Sequence, residues 1–268
     1  MKLTIFSTDK KKAGERELPS QFEEEYRPDL IKRVVQALQR AARQAYGSDP
    51  AAGFRHSVRI SKRRKHYKTS YGHGISRVAR KVHSHRGTRF NWVGAQNPQT
   101  VGGRRAHPPK AERIWEQKVN IKERRKAIRS AMSATLNKEI VVKRGHHVPG
   151  EYPFIVDKSI EGMTKTKEVR DVLRTLGFGE EFVRTEYLKV RAGIGKMRGR
   201  RYQRKKGVLL VVGGDCPLVR SASNIRGIDI VKAQELNAEY LAPGSQPGRV
   251  TVWTTHAVDV VEKENLFM

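Results

Sequence analysis

Short apolar runs alternate with amphipathic stretches along most of the chain. The apolar runs are rich in β-branched and aromatic residues, which favours strands, and they lie at residues 3–8, 154–157, 207–212, 228–230 and 250–255. Between these runs, apolar residues recur every three or four positions, which predicts helices. Strands separated by helices imply an α/β fold class: a three-layer sandwich with a mainly parallel sheet.

Capping residues indicate where the longer helices begin and end. Pro28 suits the first turn of a helix that is expected to stop near Gly47. Asn120, three residues before a Glu, resembles a capping box at the start of the next helix. Thr166 is suited to cap a third helix, which Gly177 would end.

Residues 51–110 break this pattern. Their few apolar residues show no sustained helical or strand period, and Gly and Pro interrupt the segment throughout. Such a composition cannot bury enough apolar surface to offset the entropy of ordering. We therefore predict a long extended basic loop, inserted after the first helix and ordered by its ligand.

Charge is concentrated in that loop and in a second basic run. The net charge is +28, and no carboxylate lies between Asp49 and Glu112, a stretch in which residues 51–110 carry fifteen cations. Residues 189–206 carry nine more and no acid. The rest of the chain, 1–50 and 111–268, is nearly balanced outside this second basic insertion, as expected for a globular body.

The charge favours a polyanionic partner, nucleic acid before an acidic membrane surface. One cysteine, Cys216, leaves no internal disulfide and fits a reducing cytosol. The first residues lack the apolar core of a signal peptide, and no apolar run approaches the length of a membrane span. We therefore expect a cytoplasmic protein with no membrane partner.

Phosphate neutralisation by Lys and Arg would supply most of the binding. Tyr67, Tyr71, Phe90 and Trp92 are suited to stack on unpaired bases. The candidate RNA-binding cations are Arg55, Arg59, Lys62, Arg63, Arg64, Lys65, Lys68, Arg77, Arg80, Lys81, Arg86, Arg89, Arg104, Arg105, Lys196, Arg198, Arg200 and Arg201.

Sites for catalysis are weak in this sequence. GVLLVVGGDCP at 207–217 places a Gly-rich turn after a strand but lacks the full dinucleotide pattern, and Cys216 has no flanking signature of a nucleophile. GIGKMRGRR at 193–201 has Met197 where a phosphate-binding loop needs Ser or Thr. The alternative that stays open is a Rossmann-like RNA-modifying enzyme with a basic arm and a cofactor pocket after residue 212.

Two histidine pairs are the candidates for metal ligands. His83 with His85, and His146 with His147, have no cysteine pair or carboxylates at ligand spacing. We expect these side chains to face RNA or solvent, and no metal or other cofactor to be bound.

Several segments together resemble the L-four family of large-subunit ribosomal proteins, in its archaeal and eukaryotic form. The matching segments are YGHGISRVAR at 71–80, GGRRAHPP at 102–109, the Trp115 to Asn120 junction, AGIGKMRGRR at 192–201, and LAPG followed by VTVWT near the end. Tyr71 departs from the Trp that is common at this position in eukaryotic relatives. The chain also lacks their long basic carboxyl-terminal extension, which favours an archaeal source.

The resemblance implies a structural, non-enzymatic component of the large ribosomal subunit. Its partners would be large-subunit rRNA, neighbouring ribosomal proteins and the nascent peptide, with no homo-oligomer. The loop would thread through rRNA and help to shape the narrowest part of the exit tunnel. By position, the residues at its tip would be Lys68, Tyr71, Gly72, His73, Gly74, Arg77 and Arg80.

Overall fold

The computed structural model describes residues 1–67 and 69–268. It divides into two compact units: the body, residues 1–42 with 116–268, and the basic unit, residues 43–115. The helices of the described residues all belong to the body and are α1 (Pro28–Ala41), α2 (Ile121–Leu136), α3 (Lys138–Lys143), α4 (Thr166–Leu173), α5 (Gly179–Glu186), α6 (Pro217–Ser223), α7 (Ala238–Leu241) and α8 (Thr255–Lys263). Within the described chain, no helix is both long and apolar enough to cross a bilayer.

The body contains a mostly parallel central sheet, as predicted. Its strands are β1 (Lys2–Phe6), β2 (Lys12–Glu17), β5 (Ile155–Val156), β8 (Leu209–Val212), β9 (Asp229–Lys232) and β10 (Thr251–Thr254). The order across the sheet is β2-β1-β5-β10-β8-β9, and only the β1–β2 pair is antiparallel among these described strands. The sequence did not predict β2, an exposed edge strand of sequence KAGERE with no apolar alternation.

Helices cover both faces of this sheet. In β8, Leu209 and Val211 face one buried cluster, which includes side chains of α1, α2 and α8. The intervening Leu210 and Val212 face a second buried cluster, built with α4, α5 and α6. The continuous LLVV run is therefore apolar because both faces of the strand are buried. The α/β class is confirmed.

The predicted helix ends were right in part. The first helix ends at Ala41 rather than near Gly47. Helix α2 begins directly after Asn120, as predicted, although the Asn120 side chain makes no capping hydrogen bond. Thr166 is the first residue of α4 rather than its cap. Helix α4 ends at Leu173 and is followed by a π-helical turn over residues 174–178. Within that turn Gly177 has a non-helical φ of 102° and ends the helical run before α5, as predicted.

The basic unit contains a β-hairpin that the sequence did not predict. It pairs β3 (Arg80–Arg86) with β4 (Arg89–Gly94) in antiparallel register. A second hairpin, β6 (Lys189–Val190) with β7 (Tyr202–Gln203), lies in the body at the other basic run. Both hairpins carry exposed cations, so both are candidates for a nucleic-acid interface.

Candidate nucleic-acid interface

The β3–β4 hairpin has one aromatic face and one polar face. Val82 lies opposite Trp92 and His85 opposite Phe90, although Val82 and His85 are three residues apart. This is possible because the register shifts between Val82 and Ser84, which leaves His83 as an extra residue in β3. A bulge of this kind reverses the alternation of side chains beyond it. His85 therefore joins Phe90 and Trp92 on the same face.

Aromatic rings form a continuous cluster on that face. The centroid of the Phe90 ring is 5.2 Å from that of Trp92, 5.5 Å from that of His85 and 6.1 Å from that of Tyr67. Tyr67 in turn stacks on His66 at 5.0 Å. Tyr67 is 52% exposed, so this ring remains accessible. Aromatic rings in a unit with so little apolar core offer stacking surfaces to a planar ligand.

Two of the predicted cations meet beside these rings. Arg59 forms an antiparallel bridge with Arg80, through backbone hydrogen bonds of 2.9 and 3.0 Å. The Arg80 guanidinium donates to the Ser76 carbonyl oxygen at 2.8 Å and lies 5.6 Å from the Trp92 ring centroid. The structure thus brings positive charge and an aromatic plane together, which is the combination that RNA-binding surfaces use.

Of the predicted tip residues, those at 71–74 lie in a turn before β3, and Arg80 is the first residue of β3. Gly72 and Gly74 adopt φ values of 76° and 66°, in the region that favours glycine. A Cβ added to either would meet nothing within 4 Å, so backbone conformation and not crowding requires glycine here. Arg77 lies 4.5 Å from the Tyr71 ring centroid, and His73 is exposed. Lys68 lies outside the described residues.

Most of the other predicted cations are exposed along the basic unit. Arg55 pairs with Asp49, and Arg104 lies 5.7 Å from the ring centroid of Phe54. Those with exposed side chains are Arg55, Arg59, Lys62, Arg63, Arg64, Lys65, Arg86, Arg89 and Arg105, whereas Arg80, Lys81 and Arg104 are half-buried. The basic unit therefore presents cations with few acids to neutralise them.

The second hairpin presents its cations in a loop. Arg191 donates its backbone N–H to the carbonyl of Arg201 at 2.8 Å, and the loop turns at Gly193 and Gly199 with φ of 78° and 75°. The four predicted residues Lys196, Arg198, Arg200 and Arg201 are all exposed. The Gly-Lys pair thus sits in a hairpin loop rather than between a strand and a helix, which excludes a phosphate-binding loop of the NTPase type here.

Hydrogen bonds and ion pairs of two arginines hold the chain just after this hairpin, where it leads into β8. The Arg184 guanidinium donates to the Lys206 carbonyl at 2.6 Å, and buried Arg249 donates to the Gly207 carbonyl at 2.8 Å. Arg184 also pairs with Glu181 at 2.6 Å. Burial acts to raise the pKa of Glu181, but its hydrogen bonds from Arg184 and His146 outweigh burial and lower it to about 2. The base of the basic run is thus fixed by the body itself.

His146 belongs to this network, and the prediction that it faces RNA or solvent was wrong. It is buried, and its Nδ1 lies 2.8 Å from Oε1 of Glu181. Because an ionised carboxylate only accepts, the ring donates its Nδ1 proton. Burial lowers the pKa of His146, so the ring is neutral at pH 7. Among the described residues, no cluster of three or more potential ligands could hold a metal ion.

The carboxyl end of β8, where the enzyme alternative places a cofactor, is already occupied by side chains. The backbone N–H of Gly213 donates to Glu161 at 3.1 Å, and Thr254 and His256 also bond this carboxylate, at 2.6 and 2.9 Å. A carboxylate at this position would repel the phosphates of a nucleotide. Cys216 is half-buried before α6, and burial raises the pKa of its thiol, which disfavours a nucleophile.

Sequence reasoning missed the residues that organise these regions. Glu161, Glu181 and Arg249 are charged residues, and each is buried. Charged residues are rarely buried unless they are paired, and pairing partners far apart in sequence cannot be read from one chain. The bulge at His83 was also missed, since its register is visible only once both strands are placed.

The fold and this surface define a class: an α/β protein that presents exposed, acid-poor basic hairpins, typical of structural nucleic-acid-binding proteins. Comparison with known proteins narrows the class. Residues 16–264 match the model of the Ribosomal protein L4/L1 family. The chain belongs to this family, whose members are structural and non-enzymatic, and the alternative of an RNA-modifying enzyme is set aside.

Curated relatives match over almost their whole length. The chain is 44% identical over 268 residues to the large ribosomal subunit protein uL4 of Nanoarchaeum equitans, with all of both chains covered. It is 46% identical to the protein of the same name from Archaeoglobus fulgidus, covering 97% of each chain. The one from Methanocaldococcus jannaschii is 43% identical, over 98% of this chain and 99% of the relative.

Proposed function

We propose that this protein is a structural component of the large ribosomal subunit, acting on ribosomes in the cytoplasm. Its partners are large-subunit rRNA and neighbouring ribosomal proteins. Residues 1–50 and 111–268 form the body, and two segments bind rRNA through phosphate contacts: residues 51–110 and residues 189–206. Family membership and the names of the archaeal relatives support this assignment.

The observation that carries the proposal is the exposure of unneutralised cations in the basic unit. Arg63, Arg64 and Lys65 are consecutive and exposed, and Asp49 and Glu112 are the acids of residues 43–115 in the sequence. Surface cations at this density repel one another in the isolated protein. Phosphates relieve that repulsion and release their counterions, so binding to a polyanion is strongly favoured.

The finer part of the proposal concerns the tip. The end of an extended basic loop, residues 71–80, reaches the peptide exit tunnel, and the turn at Gly72 and Gly74 shapes its wall. Arg77 over the Tyr71 ring provides a compact, positively charged surface toward rRNA or the nascent peptide. The glycines, which have no side chains to obstruct a close approach, support this placement.

Sedimentation of native ribosomes tests the proposal. Lysate of the source organism is separated on sucrose gradients at low and at raised salt, and the protein is followed by an antibody. We expect it in the large-subunit fraction at both salt concentrations. A protein that leaves the subunits at modest salt, and binds any nucleic acid equally well when free, is a nucleic-acid chaperone and contradicts the proposal.

The tip is tested separately by crosslinking. A photoreactive amino acid at His73 is compared with one at Lys263, which lies at the end of α8. With stalled ribosomes carrying a labelled nascent chain, we expect a crosslink to the peptide from position 73 only. Crosslinks from neither position would contradict the tunnel placement while leaving subunit membership intact.

A further inference from the structure

A small cavity opens on the aromatic face of the β3–β4 hairpin. Its volume is about 280 Å³. Phe90, Trp92 and Val82 contribute apolar walls, and Arg59 and Arg80 also line it. The cavity therefore combines an aromatic surface with positive charge in one place.

We propose that this cavity binds a single unstacked nucleobase of RNA, with the adjoining phosphate held by Arg59 and Arg80. The inference rests on the proposed function and names the RNA element that this hairpin recognises. Bases displaced from a helix, in bulges and loops, are bound in this way on aromatic side chains. The proposal concerns the hairpin and, of the predicted tip residues, only Arg80, which is the first residue of β3.

The size and lining of the cavity favour a base over a bare phosphate. At about 30 Å³ per water in the liquid, the cavity holds roughly nine waters, which is enough space for one aromatic base together with some water. A phosphate alone would leave the exposed faces of Phe90 and Trp92 in water, whereas a stacked base removes both its own surface and theirs from water.

Polar groups at the rim match the edges of a base. The Ser57 hydroxyl both donates and accepts hydrogen bonds, and the His85 ring offers one donor and one acceptor when neutral. Both side chains line the cavity. These groups can hydrogen-bond the ring nitrogens and exocyclic groups of a base. In a duplex the same atoms are already bonded to the partner base, so an unpaired base is the one that fits.

The bulge at His83 adds His85 to this site. Without the extra residue, the alternation along β3 would turn His85 toward the opposite face, away from Phe90. Bulges re-aim side chains at binding sites for this reason. The irregular backbone at His83 therefore determines that His85 lines the cavity.

The experiment measures binding of the full-length protein to three RNA hairpins by fluorescence anisotropy. One hairpin carries a single-adenine bulge, the second carries an abasic nucleotide at the bulge, and the third is fully paired. We expect the adenine-bulge RNA to bind about five- to a hundred-fold more tightly than the other two, the range for one stacked base.

Variants assign the effect to the cavity. Trp92→Ala should remove the preference for the adenine bulge and leave binding of the paired hairpin unchanged, and Trp92→Phe should retain most of the preference. Val93→Ala is the matched control, because Val93 neighbours Trp92 on the opposite face of β4 and is exposed. It should bind all three RNAs like the unaltered protein.

The outcomes separate this inference from the proposed function. Equal affinity for all three RNAs, with strong salt dependence preserved, would overturn the base site and leave the ribosomal assignment standing. The base site is equally overturned if Trp92→Ala weakens binding of all three RNAs to the same extent. The proposed function itself would be overturned if the unaltered protein bound none of the three RNAs and was absent from large subunits.

Discussion

Arg249 is completely buried, and its Nη2 donates a hydrogen bond of 2.6 Å to the carboxylate of Asp229. Its Nε donates to the Gly207 carbonyl, and the Lys206 ammonium lies 2.8 Å from the same carboxylate. Burial acts to raise the pKa of Asp229, but the charges of Arg249 and Lys206 prevail and lower it. Strand β9 is thus tied to the residues that follow the second basic hairpin.

Removing the negative member of this pair should destabilise the body. Asp229→Asn leaves the Arg249 charge buried without a counter-charge, and we expect a loss of about 3 kcal/mol in the free energy of unfolding. Urea denaturation followed by circular dichroism measures it. Glu168→Gln, which removes an exposed pair with Lys165, is the control and should change little. Equal effects of the two substitutions would contradict the buried pair.

Acid should destabilise the body in two steps. The pKa of His146 is lower in the folded protein, so the unfolded chain binds a proton first as the pH falls below about 6.5, and stability begins to fall. The pKa of Glu181 is lowered from 4.5 to about 2, so its contribution is present above pH 4.5 and is lost between there and about pH 2.

Unfolding in urea at pH 7.5, 5.5 and 3.5 measures both steps. His146→Gln keeps a hydrogen-bond donor toward Glu181 but does not titrate, so it should remove the loss between pH 7.5 and 5.5. The further loss at pH 3.5 should remain. A variant that loses as much stability as the unaltered protein between pH 7.5 and 5.5 would place the titrating group elsewhere.

Gly213 should not tolerate even one additional methyl group. A Cβ at Gly213 would overlap Nδ1 of His256, the atom that bonds Glu161. We expect Gly213→Ala to cost about 1–3 kcal/mol through overpacking. Gly214→Ala is the control, because its Cβ would meet His256 only at 4.0 Å.

A double-mutant cycle identifies the cause. In a His256→Ala background the methyl group of Ala at position 213 has space, so Gly213→Ala should cost much less there. Thermal unfolding of the four proteins gives the coupling energy. Equal costs in both backgrounds would show that the ring of His256 is not the obstacle.

Charge reversal in the basic unit should impair assembly more than folding. Changing Arg63, Arg64 and Lys65 to Glu should reduce incorporation into large subunits while leaving the melting temperature nearly unchanged, because these side chains are exposed. The control reverses Lys10, Lys165 and Arg174, which are already paired with surface acids of the body. Incorporation is measured by sedimentation of tagged protein.

The salt dependence of RNA binding counts the phosphate contacts. Each contact should contribute a slope of roughly −0.7 to −0.9 in log affinity against log salt. The triple reversal should therefore make the slope shallower, and the body control should not. A slope near zero in the unaltered protein would be incompatible with phosphate binding.

Ordering of the basic unit by RNA is a separate prediction. Limited proteolysis of the free protein should cut first between residues 51 and 79, where the described residues contain isolated bridges but no helix or strand of regular length. Cleavage in the β3–β4 hairpin should follow, and the body should persist. Mass spectrometry locates the cuts. Protection of the whole segment in the absence of RNA would contradict ligand-driven ordering.

The body could be predicted from sequence because its signals are local. Leu209 to Val212 form an uninterrupted apolar run, and Pro28 marks a helix start, so strand and helix types followed directly. Strand β2 was missed because, as an exposed edge strand, it has no buried face to impose apolar alternation. The helix start at Asn120 was predicted correctly, but the capping hydrogen bond is absent because it depends on side-chain geometry that sequence spacing does not fix.

The interface was predictable in its charge but not in its shape. The cations follow from composition alone, and Phe90 and Trp92 were identified as stacking residues. They share a face because they are two residues apart on β4, but the position of His85 on that face depends on the extra residue at His83, which breaks the period-two pattern that identifies strands. The buried His146 shows the same limit, since its partner Glu181 is 35 residues away.

Strand β2 has a consequence for the protein before it reaches RNA. It forms one edge of the central sheet, and Lys12, Glu15, Arg16 and Glu17 place charges of both signs along it. The unpaired backbone groups of an uncharged edge strand could pair with a strand of a second molecule, which is the first step of aggregation. Newly made chains are thereby kept apart during the interval between synthesis and assembly.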